Sequence, residues 1–524
     1  MTATKWWFKR KRVRASAQFA PLFSQSAKTY RLWMLRQKQS TQGGSLFTGM
    51  PPIVALVDTS SVETKRHKMV QRDLDATVHS LAAEGIGTWV IGAKHTEDLV
   101  VAATMIDWQV NPWLMPINAG DRIAPGTAAA YRLEIAAQRG VSVPSGIIYA
   151  DDDQLHRRGQ RRNPHFKPDW NSELFACHDY MTGACIVRAG REDLTAVSGK
   201  ADWAQQLVVQ AVRSGQEAED GAPTHLRQML HHRAKRIAPN MPGAPIVASR
   251  NLPPVTIIVP TRNRVDLLRT CLNGVAATDY PDIDVIVVDN DSDDAETLAY
   301  LEALDSAHVQ VLRYSGVFNF SAINNRAAAQ ARGQLLCLLN NDIEMIGPDW
   351  LAVMATQAMR KDVGAVGAQL LYPDGRIQHA GVVIGVGNAA AHAHRLLRPE
   401  DEGYFRRHAL PQFTSAVTAA CLLLQRERFE AVGGLDERNF AVAFNDVDLC
   451  LRLNQRGWQS FYEPRAMLIH HESVSRGLDQ DAVGAARFAG ELAALKRIWR
   501  TDHITDPFHH PQLTRAAERF AVAL

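Results

Sequence analysis

The feature that most constrains the fold is a regular alternation, between residues 255 and 340, of short apolar runs and stretches with helical spacing. Strand-length runs rich in Val and Ile, separated by helices, predict a mostly parallel, doubly wound sheet. Ligands of such sheets bind at the loops after the C-terminal ends of the strands. The predicted strands cover 255–259, 285–288, 309–312 and 335–339, and the predicted helices cover 265–276, 295–304, 322–331 and, later, 485–500.

Three polar loops follow these strands, at 260–264, 289–294 and 340–342, and in one parallel sheet they must meet at the same rim. The last of them, Asn340-Asn341-Asp342, closes a buried run with two amides and a carboxylate, which need partners or water. An Asp at this place can hold a divalent cation against a phosphate. The acidic groups and the Arg-containing turn 260–264 therefore suit a metal-bridged nucleotide diphosphate. That turn has no glycine, which argues against a GxGxxG dinucleotide site.

A later helix is predicted to begin at Asn445 or Asp446. Asp448 and Arg452 are four residues apart and predict an ion pair on the surface of that helix. Asp446 points from a different face of the first turn and is the better candidate for a general base. The alternative is that Asp446 only caps the helix, which is a common use of Asp.

Two histidines, His470 and His471, follow an apolar strand run near the end of this region. A His at the end of a strand can complete a metal site, and Ser475 and Arg476 can hold phosphate oxygens. The alternative for His470 is a core histidine with satisfied hydrogen bonds. Asp342 could likewise serve as a cap, and Asp289 as a turn residue.

Residues 254 to about 480 resemble a family 2 glycosyltransferase of the GT-A fold, in its rhamnosyltransferase-like branch. The resemblance implies a nucleotide-diphosphate sugar donor, a divalent cation (Mg²⁺ or Mn²⁺) and inversion at the anomeric carbon. The matching stretches are Ile257-Ile-Val-Pro-Thr-Arg-Asn263, Val287-Val-Asp-Asn290, Asn319-Phe-Ser-Ala-Ile-Asn-Asn325, Leu338-Leu-Asn-Asn-Asp342, Gln378-His-Ala-Gly381, Val432-Gly-Gly-Leu-Asp436, Phe444-Asn-Asp-Val-Asp-Leu449 and His470-His-Glu-Ser473.

The resemblance also implies residue roles. Asp342 stands in the family's DxD metal motif, here Asn-Asn-Asp, and Asp446 stands at the base position of its ED motif, here Asn-Asp. His470 stands at the late metal or diphosphate position, with His471 a close rival. The nucleotide-sugar contacts expected are Pro260, Thr261, Arg262, Asp289, Asn324, Asn341 and Arg476. The acceptor contacts expected are His379, Thr418 and Asn445, although close packing is an alternative for Thr418 and a plain turn for His379.

The first half of the chain contains a weaker copy of the same pattern. The segment 117–125 parallels 339–348, and 230–232 parallels 469–471, in the same order along the chain. Tyr149-Ala-Asp-Asp-Asp153 and Phe166-Lys-Pro-Asp-Trp-Asn171 resemble stretches of tandem family members, with Asp121 at the metal position and Asp202 near the base position. The segment 51–58 lacks the Pro-Thr-Arg-Asn turn. We therefore expect a degenerate GT-A-like domain that supports the second one or binds the acceptor.

At 524 residues the chain is long enough for two or three domains. We expect a basic aromatic arm with its linker at 1–49, the degenerate domain at 50–237, a Pro-rich linker at 238–254, the catalytic domain at 255–500 and a tail at 501–524. The fold class expected is α/β, with two tandem GT-A-like domains and mostly parallel sheets.

Composition and charge bear on which binding partners the chain is expected to have, among nucleic acid, zinc and membrane lipid. The net charge of +3 gives no argument for nucleic acid, and the six cysteines without CxxC pairing predict reduced thiols in a cytoplasmic protein without a zinc site. The first forty residues hold ten Lys and Arg and no acid. With the aromatic residues between them, they predict either peripheral contact with anionic lipid at the inner face of the membrane or a disordered tail.

The resemblance to family 2 glycosyltransferases implies an inverting, metal-dependent transferase that moves a sugar, such as rhamnose or another hexose, to a glycan or lipid-linked glycan in surface polysaccharide assembly. Two alternatives stay open. One is a bifunctional enzyme or polymerase with two active sites, and the other is a glycan- or nucleotide-binding protein without catalytic activity.

Overall fold

The structure is a computed structural model, and it describes residues 19–20, 22, 27–37, 50–60, 67–156, 159–217, 221–243, 252–304, 308–471 and 482–523. The chain divides into two compact units. The N-terminal unit consists mainly of residues 22–170 and 178–238, and the C-terminal unit mainly of residues 171–177 and 239–521. No pattern in the sequence predicted that the short segment 171–177 groups with the later residues.

The secondary-structure elements follow one another in the order expected of an α/β chain. The strands are β1 Ile53–Asp58, β2 Gly87–Ile91, β3 Trp113–Asn118, β4 Arg122–Ile123, β5 Ile147–Leu155, β6 Arg161–His165, β7 Cys185–Arg188, β8 Thr224–Arg233, β9 Val255–Thr261, β10 Ile283–Asp289, β11 Val309–Arg313, β12 Leu335–Leu339, β13 Ile343–Met345, β14 Val363–Leu371, β15 Ile377–His379, β16 Val382–Ile384, β17 Ala390–His392, β18 Gln412–Thr414, β19 Cys421–Gln425 and β20 Gln459–His470. The α-helices are α1 Ala27–Arg36, α2 His67–Ala83, α3 His95–Met105, α4 Thr127–Ala137, α5 Ser172–Cys177, α6 Arg191–Val197, α7 Trp203–Glu217, α8 Val265–Ala276, α9 Ala295–Ala303, α10 Phe320–Ala328, α11 Trp350–Ala358, α12 Arg426–Ala431, α13 Asn445–Gln455 and α14 Ala482–Trp499.

The two units share one sheet topology. The sheet of the N-terminal unit has the order β2-β1-β3-β7-β5-β8-β4, and the sheet of the C-terminal unit has the order β11-β10-β9-β12-β19-β14-β20-β13. Matching these orders from β2 and β10 onward pairs each strand with a partner that stands at the same place in chain order. Parallel and antiparallel pairings also agree at every matched step. This agreement supports a tandem duplication of one architecture.

The sheet of the C-terminal unit is mixed. Its strands β9 to β12 pair in parallel as predicted, but β19 is antiparallel to both β12 and β14. Long-range pairing of this kind leaves no periodic signal in the local sequence. The parallel strands β9 and β12 are buried on both faces, as expected for strands covered by helices on either side.

The core of the C-terminal unit lies in two layers, one on each face of its sheet. Alternate residues of β9 enter opposite layers, as the two-residue period of a strand requires. Val255, Ile257 and Val259 pack with residues of α8 and α11. Ile258 packs on the other face with residues of α10 and α13. The two layers pack against both faces of β9 and β12, and the loops of the candidate site follow directly from these packed strands.

The end of the predicted basic arm belongs to the fold of the N-terminal unit. Tyr30 and Trp33 lie on α1 and are buried. The Tyr30 hydroxyl donates a 2.5 Å hydrogen bond to Asp153, and the Trp33 ring packs edge-on against Phe166. These two aromatic side chains therefore serve packing. Residues 1–18 of the arm lie outside the described residues.

Two further observations concern the chain as a whole. Each of the six cysteines is a free thiol. Among the helices in the described ranges, none combines the length and the apolar character needed to cross a bilayer.

Candidate active site

A cavity of about 760 Å³ opens at the C-terminal ends of β9 and β12. Its wall is formed by the turn 260–264 after β9, the turn 340–342 after β12, residues 418–420 before β19, the start of α13 and the end of β20. Two of the three polar loops predicted to converge, 260–264 and 340–342, meet there. The third, after β10, does not line the cavity.

The pairing of β13 with β20 brings Asp342 and His470 together. Ile343 stands opposite His470 in that antiparallel pair, so the preceding residue, Asp342, meets the end of β20. Asp342 Oδ1 lies 3.1 Å from His470 Nε2, and both side chains are buried. Asp342 Oδ1 is nevertheless without a hydrogen-bond partner in the described part of the chain. A buried carboxylate oxygen in this state needs compensation.

Neighbouring amides determine which nitrogen of His470 carries the proton. Gln378 Oε1 lies 2.7 Å from His470 Nδ1, and an amide oxygen can only accept. Asn340 Nδ2, which can only donate, lies 3.4 Å from His470 Nε2. The proton of a neutral His470 is therefore on Nδ1, and the Nε2 lone pair faces Asp342 Oδ1.

Asp342 Oδ1 and His470 Nε2, both acceptors, therefore face each other at a distance of 3.1 Å. Two acceptors in this arrangement fit a cation bound by both. The Nδ1 of His470 bonds the Gln378 amide oxygen, and a metal-bound histidine usually donates its other ring N–H to an oxygen in this way. Asp342 and His470 are thus the residues of the cavity that could hold a divalent ion. The chemistry of the donor set, one carboxylate and one imidazole, is compatible with Mn²⁺ or Mg²⁺.

His471 has a different environment from His470. Its Nε2 lies 2.9 Å from Glu344 Oε2, and it does not line the cavity. Its backbone N–H donates to the carbonyl oxygen of Asp342, which helps to hold the turn. Of the two histidines, only His470 faces the Asp342 carboxylate.

The turn after β9 supplies the other predicted donor contacts that reach the cavity. Pro260, Thr261 and Arg262 line it together with Asn341. Asn341 Nδ2 donates a 3.0 Å hydrogen bond to Thr261 Oγ1, so the loops after β9 and β12 are linked side chain to side chain. The next residues, Asn263 and Arg264, adopt left-handed backbone with φ of 54° and 53°, a conformation that is uncommon outside glycine.

Two predicted donor contacts lie elsewhere. Asp289 is fully buried and does not line the cavity, because its carboxylate accepts from the Ser292 N–H at 3.1 Å and from Arg313 at 2.8 Å. Asn324 is also fully buried and outside the cavity wall. Its amide nitrogen donates to the Phe320 carbonyl within α10. Both residues shape the frame behind the site.

Basic side chains also line the cavity. Arg262, Arg264 and Arg487 contribute to the wall. Arg264 pairs with Asp266 at 2.7 Å, and Arg487 on α14 lies 3.8 Å from Glu491. The predicted phosphate contact Arg476 lies outside the described residues. Arg487 belongs to no sequence motif, so no pattern in the sequence pointed to it.

Asp446 stands on the cavity wall at the first turn of α13. Its two carboxylate oxygens accept from the backbone N–H groups of Ala419 at 3.1 Å and Val447 at 2.8 Å. Burial raises the pKa of Asp446 above its usual value, while these N–H donors and the Thr418 hydroxyl act in the opposite direction. A carboxylate whose pKa is raised by its surroundings is a stronger base, which is what a proton acceptor requires.

The chain enters α13 through a strained residue. Phe444, immediately before the helix, has φ of 62°, which costs a non-glycine residue about 1–2 kcal/mol. Such strain persists where the surrounding structure holds it in place, and it often lies at functional sites. Asn445, also on the cavity wall, donates through Nδ2 to the Val442 carbonyl at 2.8 Å. Thr418 lines the same wall.

The predicted ion pair on α13 is present, but its acidic member is buried. Arg452 Nη2 lies 2.7 Å from Asp448 Oδ2. The other oxygen of Asp448 accepts a 2.9 Å hydrogen bond from Trp499 Nε1. Asp448 therefore ties α13 to the end of α14 and leaves Asp446 as the carboxylate of this helix that faces the cavity.

His379, predicted to contact the acceptor, lies behind the cavity wall, and its neighbour His392 is on the wall. His379 is fully buried and does not line the cavity. Its Nδ1 lies 3.0 Å from Nδ1 of His392, and His392 does line the cavity. Gln378, the residue before His379, lines it too. Gln378 could have been found from its place in the Gln-His-Ala-Gly stretch, whereas no sequence signal pointed to His392.

In the N-terminal unit, the turn corresponding to the one that carries Asp342 has a different partner. Asp121 lies between β3 and β4 and is buried. Its carboxylate accepts from Arg233 Nε at 3.4 Å and from the Ala234 N–H at 2.7 Å. Burial raises the pKa of Asp121 to about 6, and Arg233 opposes that rise. A guanidinium from the end of β8 thus pairs with the carboxylate that stands at the family's metal position in this unit.

The other acids of the N-terminal unit that the sequence singled out also have partners within it. Asp202 is exposed and accepts from Gln206. The three consecutive buried acids have these partners: Asp151 with His225, Asp152 with Lys167 and Arg236, and Asp153 with Tyr30, Arg161 and His232. These carboxylates hold the fold of the unit through hydrogen bonds and, with Lys167, Arg161 and Arg236, through ion pairs.

Comparison with known proteins agrees with the geometry of the C-terminal unit. The model of the family described as "Glycosyl transferase family 2" matches residues 256–433. The C-terminal unit contains a family 2 glycosyltransferase domain. Its matched segment carries the turn 260–264 and Asp342, while Asp446 and His470 follow shortly after it.

Three curated relatives extend the similarity. The chain is 38% identical over 423 residues to the uncharacterized protein y4gI of Sinorhizobium fredii, which covers 72% of this chain and 46% of that protein. It is 35% identical over 439 residues to the O-antigen biosynthesis protein RfbC of Myxococcus xanthus, covering 76% and 34%. It is 28% identical over 223 residues to an N-acetylglucosaminyl-diphospho-decaprenol L-rhamnosyltransferase of Mycobacterium tuberculosis, covering 39% and 71%. The chain thus spans less than half the length of the first two relatives.

Among solved structures, the mannosyltransferase PcManGT of Pyrobaculum calidifontis, in complex with GDP-Man and Mn²⁺, aligns with a TM-score of 0.37 at 20% identity. The alignment covers 52% of this chain and 70% of that one.

Proposed function

We propose that the chain is an inverting glycosyltransferase whose active site is the cavity of the C-terminal unit. It moves a sugar, rhamnose or another hexose, from a nucleotide-diphosphate donor to a glycan or lipid-linked glycan acceptor in surface polysaccharide assembly. The observation that carries the proposal is the meeting, in one cavity, of a base with a raised pKa, Asp446, and a pair suited to a cation, Asp342 with His470. The names of the RfbC and rhamnosyltransferase relatives support the class of acceptor.

The donor is proposed to lie along the turns after β9 and β12, where Thr261, Arg262 and Asn341 line the wall. When bound, a divalent cation supplies Lewis-acid stabilisation of the departing diphosphate, and Asp342 and His470 would hold it. The basic side chains of the wall, Arg262 and Arg487 among them, add positive charge for the same group.

Asp446 is proposed to take the proton of an acceptor sugar hydroxyl. The freed oxygen forms a bond to the anomeric carbon from the side opposite the diphosphate. The bond from that carbon to the diphosphate oxygen breaks, and the diphosphate leaves with the electron pair, so the configuration inverts. Asp446 then returns its proton to solvent. One carboxylate is enough for this reaction, because the departing diphosphate does not need an acid to protonate it.

The proposal is tested by replacing Asp446 with Asn. We expect Asp446→Asn to abolish transfer and to leave the binding of donor intact, measured by transfer assay and by calorimetry. The matched control is Asp202→Asn, which changes an exposed Asp just before a helix of the N-terminal unit and should retain transfer. Turnover retained by Asp446→Asn would exclude the role proposed for it. The donor is found first, by screening nucleotide sugars for metal-dependent hydrolysis or thermal protection.

Two alternatives to a transferase with one active site can be distinguished with one further variant and the same transfer and calorimetry assays. A bifunctional enzyme would lose one of two transfer activities on Asp121→Ala. The pairing of Asp121 with Arg233 favours a supporting or acceptor-binding role for the N-terminal unit. A binding protein without catalysis would give donor binding in calorimetry and no turnover with any acceptor.

Peripheral binding to an anionic membrane from the cytoplasm also remains a proposal. It rests on the ten Lys and Arg of the first forty residues. Co-sedimentation with anionic vesicles, compared with neutral ones, tests it.

A further inference from the structure

A buried glutamate on α14 bonds the backbone of the segment that leads into α13. Glu491 is 4% exposed. Its two carboxylate oxygens accept from consecutive backbone N–H groups, Val442 at 2.8 Å and Ala443 at 3.1 Å. The function proposed above includes no role for Glu491, although the segment that it bonds lies directly before the residue proposed as base.

The segment bonded by Glu491 ends in the strained residue Phe444. Phe444 has φ of 62°, and α13 begins at the next residue. A residue other than glycine rarely adopts this conformation, and it persists only where neighbouring contacts hold it. The ring of Phe444 packs against Phe488 of α14 with the centroids 5.4 Å apart. The two bonds to Glu491 come immediately before it in the chain, so α14 holds the strained turn through both backbone and side chain.

A second helix, α10, holds the earlier part of the same segment. Ser321 Oγ donates to the Phe440 carbonyl at 2.5 Å, and the Ser321 N–H donates to the Ala441 carbonyl at 3.2 Å. These bonds fix carbonyl groups, whereas Glu491 fixes the N–H groups of the two residues that follow. The path of the chain into α13 is therefore set by α10 up to Ala441 and by Glu491 after it.

The residues next to this segment form part of the cavity wall. Val442, Asn445 and Asp446 line the cavity, whereas Glu491 does not. Asp446 lies in the first turn of α13, so the place where the helix begins determines where its carboxylate lies. Its Oδ2 accepts from the Ala419 N–H at 3.1 Å, and that donor belongs to a different part of the wall. A small displacement of the start of α13 would therefore break this bond and move the base.

A rival role for Glu491 is to orient Arg487, which lines the cavity. Arg487 Nε lies 3.8 Å from Glu491 Oε2, which is beyond the range of a hydrogen bond. The same oxygen already accepts from the Ala443 N–H at 3.1 Å. The two direct bonds to N–H groups therefore favour the backbone as the group that Glu491 holds.

We propose that Glu491 is a positioning residue for the base Asp446. By accepting from two consecutive backbone N–H groups, it holds the strained turn at Phe444 and fixes the start of α13. The inference rests on the glycosyltransferase function proposed above, because that function assigns the role of base to Asp446. A supporting residue of this kind holds a reacting group within the narrow range of positions that catalysis requires.

The first experiment replaces Glu491 with Gln, which keeps the shape of the side chain. An amide has one acceptor oxygen, so only one of the two N–H groups keeps its bond. Hydrogen exchange of the full-length chain, followed by mass spectrometry, should become faster at the amides of Val442 and Ala443. The matched control is Glu430→Gln on α12, an exposed glutamate 3.2 Å from Arg426, which should leave that exchange unchanged. Exchange that is unchanged in Glu491→Gln overturns the proposal.

The second experiment measures turnover and nucleotide binding separately. Turnover is the Mn²⁺-dependent hydrolysis of UDP-glucose, UDP-N-acetylglucosamine, GDP-mannose or dTDP-rhamnose, whichever the unaltered chain hydrolyses fastest, with water in place of the acceptor hydroxyl. We expect Glu491→Gln to lower kcat about 10- to 100-fold, as for a catalytic group displaced by about 1 Å. The Kd of the matching nucleoside diphosphate with Mn²⁺ should stay within about threefold in calorimetry. An unchanged kcat overturns the proposal, and so does an equal loss of nucleotide binding, which would assign Glu491 to Arg487.

Two further measurements separate positioning from a general loss of stability. The Ala419 N–H lowers the pKa of Asp446, so its loss should raise the pH at which Glu491→Gln loses turnover on acidification. Phe444→Gly removes the steric penalty of the left-handed conformation, so Glu491→Gln should lower kcat by a smaller factor in that background. An unmoved pH dependence, or equal losses of kcat in both backgrounds, overturns the proposal.

Failure of the proposed function gives a different result. If Asp446→Asn keeps full hydrolysis, or if the unaltered chain hydrolyses none of the four nucleotide sugars with Mn²⁺, both proposals are wrong. If Asp446→Asn abolishes hydrolysis and Glu491→Gln does not lower kcat, only the inference about Glu491 is wrong. If Glu491→Gln does not fold, Glu491→Asp, which keeps both acceptor oxygens on a shorter side chain, is measured in the same assays. Faster exchange and a lower kcat are then expected, and unchanged values of both overturn the proposal.

Discussion

Replacing Gln378 with leucine should weaken cation binding at Asp342 and His470 by about 10- to 100-fold. Gln378 Oε1 accepts from His470 Nδ1 at 2.7 Å, and both side chains are buried. Leucine has a similar volume but no acceptor, so the Nδ1–H of His470 would be left unsatisfied. The cation-binding lone pair on Nε2 would then no longer be held toward Asp342.

The magnitude follows from the burial of the group. A buried donor left without its partner costs about 1–3 kcal/mol, which corresponds to roughly 5- to 150-fold in an equilibrium constant. The ring can escape part of that cost by rotating, but rotation removes Nε2 from its place 3.1 Å from Asp342 Oδ1. Cation binding requires the orientation that leaves Nδ1–H unsatisfied, whereas the cation-free protein can rotate the ring and avoid that cost. The cost therefore lowers the cation affinity, and its size agrees with the 10- to 100-fold loss expected above.

The assay is a Mn²⁺ titration followed by electron paramagnetic resonance or calorimetry, with thermal unfolding to verify that each variant is folded. Gln378→Glu is the matched control, because it keeps an acceptor oxygen and should retain Mn²⁺ affinity within about threefold. Unchanged Mn²⁺ affinity in Gln378→Leu would refute the reasoning, and so would an unaltered chain that binds no Mn²⁺.

Three further predictions concern other parts of the structure. Burial raises the pKa of Asp446 above 3.8, so the rate of transfer should fall on acidification at a higher pH than an ordinary aspartate would give. Donor binding should not show this loss. A loss of transfer only at or below pH 3.8 would count against Asp446 as the base. Asp121→Ala leaves the buried Arg233 without its carboxylate and should lower the free energy of unfolding by about 3–5 kcal/mol, with transfer unchanged. Adding Arg233→Met should recover most of that loss in a double-mutant cycle. A loss of transfer at a temperature where the protein is folded would contradict the prediction. Arg515→Ala removes hydrogen bonds to the Gly385, Thr501 and Asp502 carbonyls and should speed limited proteolysis of the β16–β17 hairpin. An unchanged cleavage rate would mean that Arg515 does not hold the hairpin.

Element positions in the C-terminal unit follow closely from local sequence. The predicted strand 335–339 and helix 265–276 coincide with β12 and α8, because each is an apolar pattern bounded by residues that end it. The mixed pairing of β14, β19 and β20 has no such local origin. It depends on contacts between residues far apart in the chain, and the sequence pattern on either strand is the same for both directions.

The candidate site shows the same division. Asp342, Asp446 and His470 were selected from the sequence, and all three line one cavity, although their roles stay predictions. Asp289 and His379 were selected on similar grounds and lie buried behind the wall. Chemistry and position after a strand identify candidate residues, but the path of the loop decides whether the side chain faces a ligand or the core.

By itself the sequence determined the order of strands and helices, the duplication, and the carboxylate that ends β12, because these depend on periodicity and on residue type at strand ends. The tertiary structure alone decided the partners of those residues. Arg233 pairs with Asp121 in the N-terminal unit, and His470 lies beside Asp342 in the C-terminal unit. At the cavity wall stands His392, while His379 lies behind it. The physical reason is that the protonation and the role of a buried charged group depend on the groups within about 4 Å of it. Those groups come from strands that are distant in sequence.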